Sequence, residues 1–506
     1  MNRRAFLMTS AAVLAAPSGR AAMPRFLSDE PFEPDTVLSL ARDLASRPFE
    51  LRAQVPQEWR DLTYDQYRKI WFNTKKAIWA DADLPFEMDL FHPGLYFPRA
   101  VEVDVVQLDR AHRLAFDFDL FDTSDQAPDL PLDETMGYSG LRLRHQFSGE
   151  TKHREFAVFQ GASYFRAIGS AQAYGLSARG LALRTGDPAG EEFPDFTRFW
   201  VEEPTPGDDR VTVHALLDSP SVTGAYRFVI LPGDACEMEV EATIFPRVDL
   251  DHVGIAPLTS MFLYDQTNRP RFQDFRPAIH DSDGLLVWNG NGEMLWRPLA
   301  NPLTLQVSSF VDESPRGFGL MQRAKRLSDF ADLEAHYHRR PSLWIEPGEE
   351  WGAGVVRLVE IPSDEEIYDN IVAYWRPREV IPAGTETRFT YRMTWGETAP
   401  HRRDVAPVLD TYMGQNFKRD RLLAAIDFGP HDDFGKDIDD LDALTIHVSS
   451  RADVSKGTLQ RNPETGGVRL AFTFDPADRP VVELRAQLLK DGRAASEVWL
   501  YRWTAT

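Results

Sequence analysis

The hydrophobic pattern of the chain is helical near its beginning and two-residue periodic almost everywhere after. Residues 35–47 place Val37, Leu40, Ala41 and Leu44 on one face of a helix, with Asp35 as its cap and Pro48 just beyond its end. Thr63 and Gln66 have capping-box spacing, which predicts a second helix from Tyr64 to Phe72. From there the period shortens. Leu114 to Leu120 alternates apolar with polar residues and predicts a strand with one wet face. Similar strands are expected at Arg210 to Leu216, Tyr226 to Leu231, Glu237 to Ile244, Val355 to Glu360 and Phe389 to Trp395. Turn signals such as Asn289-Gly290-Asn291-Gly292 and Pro347-Gly348 separate many of them.

This pattern predicts an all-β protein built on one large antiparallel sandwich. The stretch Arg376 to Gly384 has the composition of a boundary, but a strand follows it, so the break is placed between Gly396 and Pro407. Alternating segments at Leu444 to Val448, Val468 to Phe474, Val481 to Leu489 and Val498 to Trp503, with a turn at Asp491-Gly492, predict a small immunoglobulin-like sandwich. The expected organisation is residues 1–22 as a leader, 23–398 as the large sandwich and 405–506 as the small one.

Composition and charge narrow the setting. Arg3-Arg4 precede a short apolar run, Leu7 to Ala16, which Pro17 ends; Gly19 and Ala21 supply small residues for cleavage after Ala21 or Ala22. Residues 1–22 contain Arg3, Arg4 and Arg20 and no Asp or Glu. These features predict a twin-arginine secretory signal and a periplasmic protein exported in the folded state. The apolar run is shorter than the roughly 20 residues that span a bilayer, and no later stretch reads as a span. The single cysteine, Cys236, excludes an internal disulfide. A formal charge of −22 repels nucleic acid and anionic membranes, so a neutral partner such as a sugar polymer is favoured.

Several chemistries lack their signatures. There is no phosphate-binding loop, nucleophile elbow or zinc-protease helix. His336 and His338 would share one strand face but have no third ligand nearby, and the acidic run Asp432 to Asp442 does not fit a calcium loop. No metal or cofactor is expected. Trp288, Trp296, Trp344, Trp351 and Trp375, with Tyr337 and Tyr374, could stack on sugar rings or equally fill a core. Asp281-Ser282-Asp283-Gly284 and Asp369-Asn370 supply carboxylates of the kind that glycoside hydrolysis needs as acid and base, although Asp and Asn also nucleate turns. With 78 acidic residues, spacing alone selects none of them.

A family resemblance does select them. Gly161 to Ala167, Tyr174 to Gly180, Glu191 to Phe196, Leu217 to Ser219 and Thr223 to Tyr226 resemble segments of the osmoregulated periplasmic glucan biosynthesis family, proteins G and D. So do Gly254 to Pro257, Ile279 to Asp283, Arg340 to Trp344 and Asp369 to Val372. The twin-arginine leader looks more like protein D. The resemblance implies a galactose-mutarotase-like sandwich followed by an immunoglobulin-like one, and a substrate of β-1,2-glucan. It implies an inverting glycoside hydrolase or a transglycosylase, with Asp369 as general acid, Asp281 as general base through a water relay, and Tyr337 at the cleaved linkage. Residue type and position add Arg166, Arg340, Trp344, Trp351, Asp283 and Trp288 as substrate-binding candidates.

The family's segment between the sandwiches, which helps close its cleft and water relay, is shorter here at Pro407 to Phe417. The acceptor of the reaction is therefore open between water and a glucan hydroxyl. The alternative function is a non-catalytic glucan-binding scaffold that assists a membrane glucan synthase. A homodimer is expected only by analogy with the family.

Overall fold

The structure, a computed structural model, describes residues 25–437 and 439–505, so the leader and its paired arginines lie outside the described residues. The first helix forms at Thr36–Ala45 and buries Val37 and Ala41 in a small cluster with Trp200 and Phe245. Its start differs from expectation, since Asp35 makes no side-chain cap and Leu40 faces solvent. The capping box at Thr63 and Gln66 is present, but its helix stops at Tyr67. Ile70–Phe72 is instead a strand paired with Phe121–Thr123. The strand expected from Leu114 to Leu120 also fails. Arg110–Leu114 ends where it should begin, and Asp117 Oδ1 accepts a hydrogen bond from Asp119 N at 2.9 Å, closing a 3₁₀ turn at Phe118–Leu120.

The remaining alternating segments become strands, and the fold is an all-β sandwich. Among the described residues, sixteen strands form one sheet and ten form another. The ten-stranded sheet runs through Ala353–Glu360, Ile371–Pro377, Val253–Ser260, Ser177–Arg179, Tyr164–Ala167, Arg154–Gln160 and Gly140–His145. Its buried face meets the larger sheet in one continuous core. Phe159 and Phe165 of the smaller sheet sit 5.2 and 5.0 Å from Phe228 of the larger, and Phe165 sits 6.0 Å from Trp395. These rings lie at steep angles to their partners, the packing that aromatic quadrupoles favour.

The strands after Pro407 build a second, smaller sandwich. Val408–Gln415, Leu422–Phe428 and Val468–Asp475 form one layer. Leu444–Ser450, Val481–Lys490 and Val498–Thr504 form the other, and this layer continues the larger sheet. Leu295 and Trp296 of Met294–Pro298 pair in parallel with Val498 and Trp499. Leu286, Trp296, Met321 and Trp344 of the large sandwich share a core with Ile426, Phe472, Leu484 and Trp499. Pro407 to Phe417, read as a shortened loop, is mostly the strand Val408–Gln415. No helix among the described residues is long and apolar enough to cross a membrane.

Candidate active site

One face of the ten-stranded sheet packs on the core and the other carries charge. Tyr164 lies opposite Arg179 in an antiparallel pair, and Arg166 is two residues further along, so all three share the outward face. Phe165 and Ala178 alternate with them and are buried.

Two carboxylates reach the border of this face through adjoining main-chain clamps. Asp281 N donates to Met261 O at 2.8 Å. One residue on, Phe262 N donates to Asn370 Oδ1 at 2.8 Å, and Asn370 Nδ2 donates to Phe262 O and to Ile361 O, each at 3.0 Å. Asn370 therefore fastens the loop that carries Asp369 to the segment that fixes Asp281. Every polar group of its side chain is used, so the loop end has one position.

The two carboxylates differ in setting. Asp281 is buried, and burial pushes its pKa up to about 6. The Arg340 guanidinium, whose Nη1 donates to Asp281 Oδ1, opposes that rise, while the charge of Asp369 adds to it. Asp369 is exposed to solvent at the mouth of the site, yet protein surrounds it on most sides. That enclosure raises its pKa, and Arg166, Arg179 and Arg340 oppose it.

Arg340 joins the parts. Its guanidinium lies 4.1 Å from the Tyr337 ring centre, and Nη2 donates to Ala335 O at 3.2 Å. Gly175 permits this approach, because a Cβ there would sit 2.9 Å from Arg340 Cβ. Tyr337 is buried and donates through its hydroxyl to Glu366 Oε2 at 2.9 Å; Glu366 also accepts from Arg276 Nη1 at 2.8 Å. Burial raises the Tyr337 pKa, so it stays a neutral donor. Arg166 is half-buried and has no ion pair or side-chain hydrogen bond among the described residues, although its charge acts on both aspartates.

Asp281, Asp369, Tyr337, Arg340 and Arg166 thus gather in one place. The other expected substrate contacts do not join them. Trp344, 1% exposed, lies in the core beneath the C-terminal strands. Trp351, 8% exposed, packs among Phe318, Trp375, Phe389 and Tyr391. Both are core residues, because the faces they occupy are covered by sheet and not by solvent. Trp288 ends the strand Gly284–Trp288 beside Arg316, roughly 13 Å along the strand from Gly284 at the usual rise per residue. Asp283 turns the opposite way from Asp281 and accepts from Arg323 N at 2.8 Å and Ala324 N at 3.0 Å. Two residues apart on a strand entry, they serve two different sides.

Sequence reasoning missed Arg179, Tyr164, Glu366 and the exposed Tyr368 beside Asp369. Arg179 and Tyr164 stood inside the matching segments Tyr174 to Gly180 and Gly161 to Ala167, which was the available signal. His336 and His338 do not share a strand face: His336 precedes the 3₁₀ turn Tyr337–Arg339, and their rings meet edge-on at 5.9 Å. Among the described residues no group of three or more His, Cys, Asp or Glu could hold a metal ion.

A family model described as "Periplasmic glucan biosynthesis protein, MdoG" matches residues 32–503. A glucans biosynthesis protein G 1 from Shewanella oneidensis is 47% identical, over 99% of this chain and 92% of its own length. A glucans biosynthesis protein G from Vibrio cholerae is 46% identical, over 95% of this chain and 88% of its own. These relatives carry the name G, whereas the leader favoured D. A galactose mutarotase related enzyme from Lactobacillus acidophilus aligns with 48% of this chain and 98% of its own at 9% identity and a TM-score of 0.21, too slight a likeness to inform the site.

Proposed function

This chain belongs to the periplasmic glucan biosynthesis protein family, and from that membership we propose that it cleaves or transfers β-1,2-glucan between Asp281 and Asp369. The supporting observation is the convergence of two carboxylates, both with raised pKa, beneath Arg166, Arg179 and Arg340. Asp369 is reachable from solvent and raised, which suits a general acid that protonates the leaving glycosidic oxygen. Asp281, at about 6, is mostly ionised at neutral pH and suits the base. Its pairing with Arg340 favours a base that draws the proton of the attacking group through a relay rather than by direct contact. If water attacks the anomeric carbon, the result is hydrolysis with inversion. If a glucan hydroxyl takes the water's place, the result is transfer or ring closure.

The same ion pair favours a second reading. With Asp281 satisfied by Arg340, the cleft could hold glucan without reacting, as a scaffold that hands chains to a membrane synthase. Incubation with linear β-1,2-glucan and mass analysis of the products separates the two. Short linear oligomers mean hydrolysis, products lighter than linear chains by one water mean cyclisation, and unchanged polymer means a scaffold. Asp369→Asn and Asp281→Asn are each expected to cut turnover by roughly 10²–10⁴-fold with the fold and glucan binding retained. Full activity in the first variant sinks the acid assignment.

A further inference from the structure

Three separate segments carry Asp281, Arg340 and Asp369, and Arg276 ties them together. It lies five residues before Asp281, on the segment that enters Ile279–His280. Its Nε donates to Asp274 Oδ1 at 3.0 Å and its Nη2 to Asp274 Oδ2 at 2.8 Å, a fork that fixes the plane of the guanidinium. Its Nη1 donates to Asp332 Oδ2 at 2.9 Å and to Glu366 Oε2 at 2.8 Å, on segments 56 and 90 positions further along the chain.

Each of the two distant acceptors governs a part of the site. Asp332 leads into the turn that ends at Tyr337 and Arg340, and its Oδ1 accepts from Glu334 N at 2.8 Å and Ala335 N at 2.7 Å. Ala335 O accepts in turn from Arg340 Nη2, and Arg340 Nη1 reaches Asp281. Ala331 and His336 bound this turn with φ of 54° and 51°, a left-handed conformation that residues other than glycine keep only where their surroundings impose it. Glu366 stands three residues before Asp369, and the oxygen that accepts from Arg276 also accepts from the Tyr337 hydroxyl. Asn301 holds Ser363, and Asn370 holds the far end of the loop. Between those two points Glu366 is the only residue hydrogen-bonded to the rest of the protein among the described residues. Ile367 and Tyr368 beside it are exposed, so packing adds little to hold this stretch.

The chemistry of the cluster fits a brace better than a simple ion pair. The fork with Asp274 already balances the charge of Arg276. The side chains of Arg276 and Asp332 are largely enclosed, and three carboxylates gathered around one guanidinium repel one another. Only a planar group with donors in several directions can serve all three at once.

We propose that Arg276 is a positioning residue that sets the separation of Asp281 and Asp369, by bracing the Asp369 loop and the Arg340 turn against the segment that carries Asp281. The proposal rests on the assignment of those two aspartates as the reacting pair. Arg276 makes no hydrogen bond or ion pair with either of them and acts through Glu366 and Asp332. Inverting hydrolysis needs its two carboxyl groups roughly 6.5–9.5 Å apart, with room for one water. A misplacement of about 1 Å is enough to cost on the order of 10²-fold in rate.

Two variants of the full-length protein test the brace. Arg276→Lys keeps the charge, but one ammonium cannot reproduce the fork and both reaches. Glu366→Ala cuts the tie to the Asp369 loop at a partly exposed position and leaves the Asp274 and Asp332 pairs in place. Each is expected to lower kcat on linear β-1,2-glucan at least about tenfold with KM within about threefold, since the loss falls on the reacting geometry. The double variant should be no more than about twofold below the poorer single one, because both act on one brace. On the β-fluoride of a β-1,2-glucan oligomer, whose leaving group needs little protonation, the Glu366→Ala defect should shrink to within about threefold. Hydrogen exchange read by mass spectrometry needs no turnover: both variants should speed exchange in residues 361–370, and Arg276→Lys should also speed it in residues 332–340. A parent chain that leaves the glucan unchanged defeats the reaction assignment, and faster exchange in both variants then still supports the brace. Unchanged exchange in residues 361–370, full glucan turnover in both variants, or an equal Glu366→Ala defect on glucan and fluoride overturns the proposal.

Discussion

Two groups of aspartates sit on opposite sides of the same short segment, and enclosure by protein raises the pKa of both while their partners differ. At the candidate site, burial raises Asp281 to about 6 against the pull of Arg340. At the junction with the small sandwich, burial raises Asp265 and Asp283 to about 6 as well, and Asp410, exposed on one side but surrounded by protein on the others, is also raised to about 6. Asp265 and Asp283 take main-chain donors from nearby residues, although Asp283 Oδ1 has no partner. Asp265 Oδ1 accepts from Thr267 N at 2.7 Å and from its hydroxyl at 2.6 Å, and Asp283 Oδ2 takes two main-chain amides. Asp410 takes a long contact from Gln266 Nε2 at 3.4 Å, is neighboured by the Tyr412 hydroxyl, and feels the charge of Asp283. The carboxylates of the candidate site face Arg340, Arg179 and the half-buried Arg166, which has no ion pair of its own among the described residues, whereas the guanidinium beside Asp283, that of Arg323, is already paired with Glu497. A raised pKa therefore does not distinguish a working carboxylate from a structural one; the direction in which its partners leave space does.

Three substitutions sharpen that contrast, in decreasing order of effect. Arg340→Ala leaves Asp281 buried without its cation. It should cost roughly 3–5 kcal/mol in chemical denaturation, and it should move the acid limb of the pH–rate profile upward as Asp281 loses the charge that lowers its pKa. An unmoved acid limb would mean that Asp281 is not the group titrating.

Asp410→Asn tests the junction through linkage. The folded pKa of Asp410 is raised above its ordinary 3.8, so the protonated form favours folding; its stabilising contribution is present below pH about 4 and is lost as pH rises through about 6. The asparagine variant should therefore match the parent near pH 4 and melt higher than the parent at pH 7. Equal melting at both values would show that Asp410 titrates normally.

Asp283→Asn should have the smallest effect, because an amide oxygen can still accept from Arg323 N and Ala324 N. Turnover within about twofold of the parent is expected, measured beside Asp281→Asn under the same conditions, since changes away from the reacting groups are usually small. Equal damage from both substitutions would erase the distinction between cleft and junction.

The contrast also separates what was legible in the chain from what was not. Residues such as Cys236–Pro246 and Thr387–Gly396 announce themselves, because two-residue alternation is a local property of a half-buried strand. Leu114 to Leu120 alternates equally well, yet Asp117 finds a nearer main-chain donor at Asp119 and turns the chain. Trp344 and Trp351 are open in sequence between sugar platform and core, and only the layers packed over them make them core.

By itself the sequence determined the all-β class, most of the strand positions, the family and the pair of aspartates that the family resemblance picked out. Only the tertiary structure decided which neighbour of each aspartate matters. Asp281 and Asp283 differ by two positions, and that spacing alone puts them on one side; the corner between Ile279–His280 and Gly284–Trp288 turns one to Arg340 and the other to the amides of Arg323 and Ala324. Partners brought in from distant strands set burial and charge, and those are sums over space that no local pattern encodes.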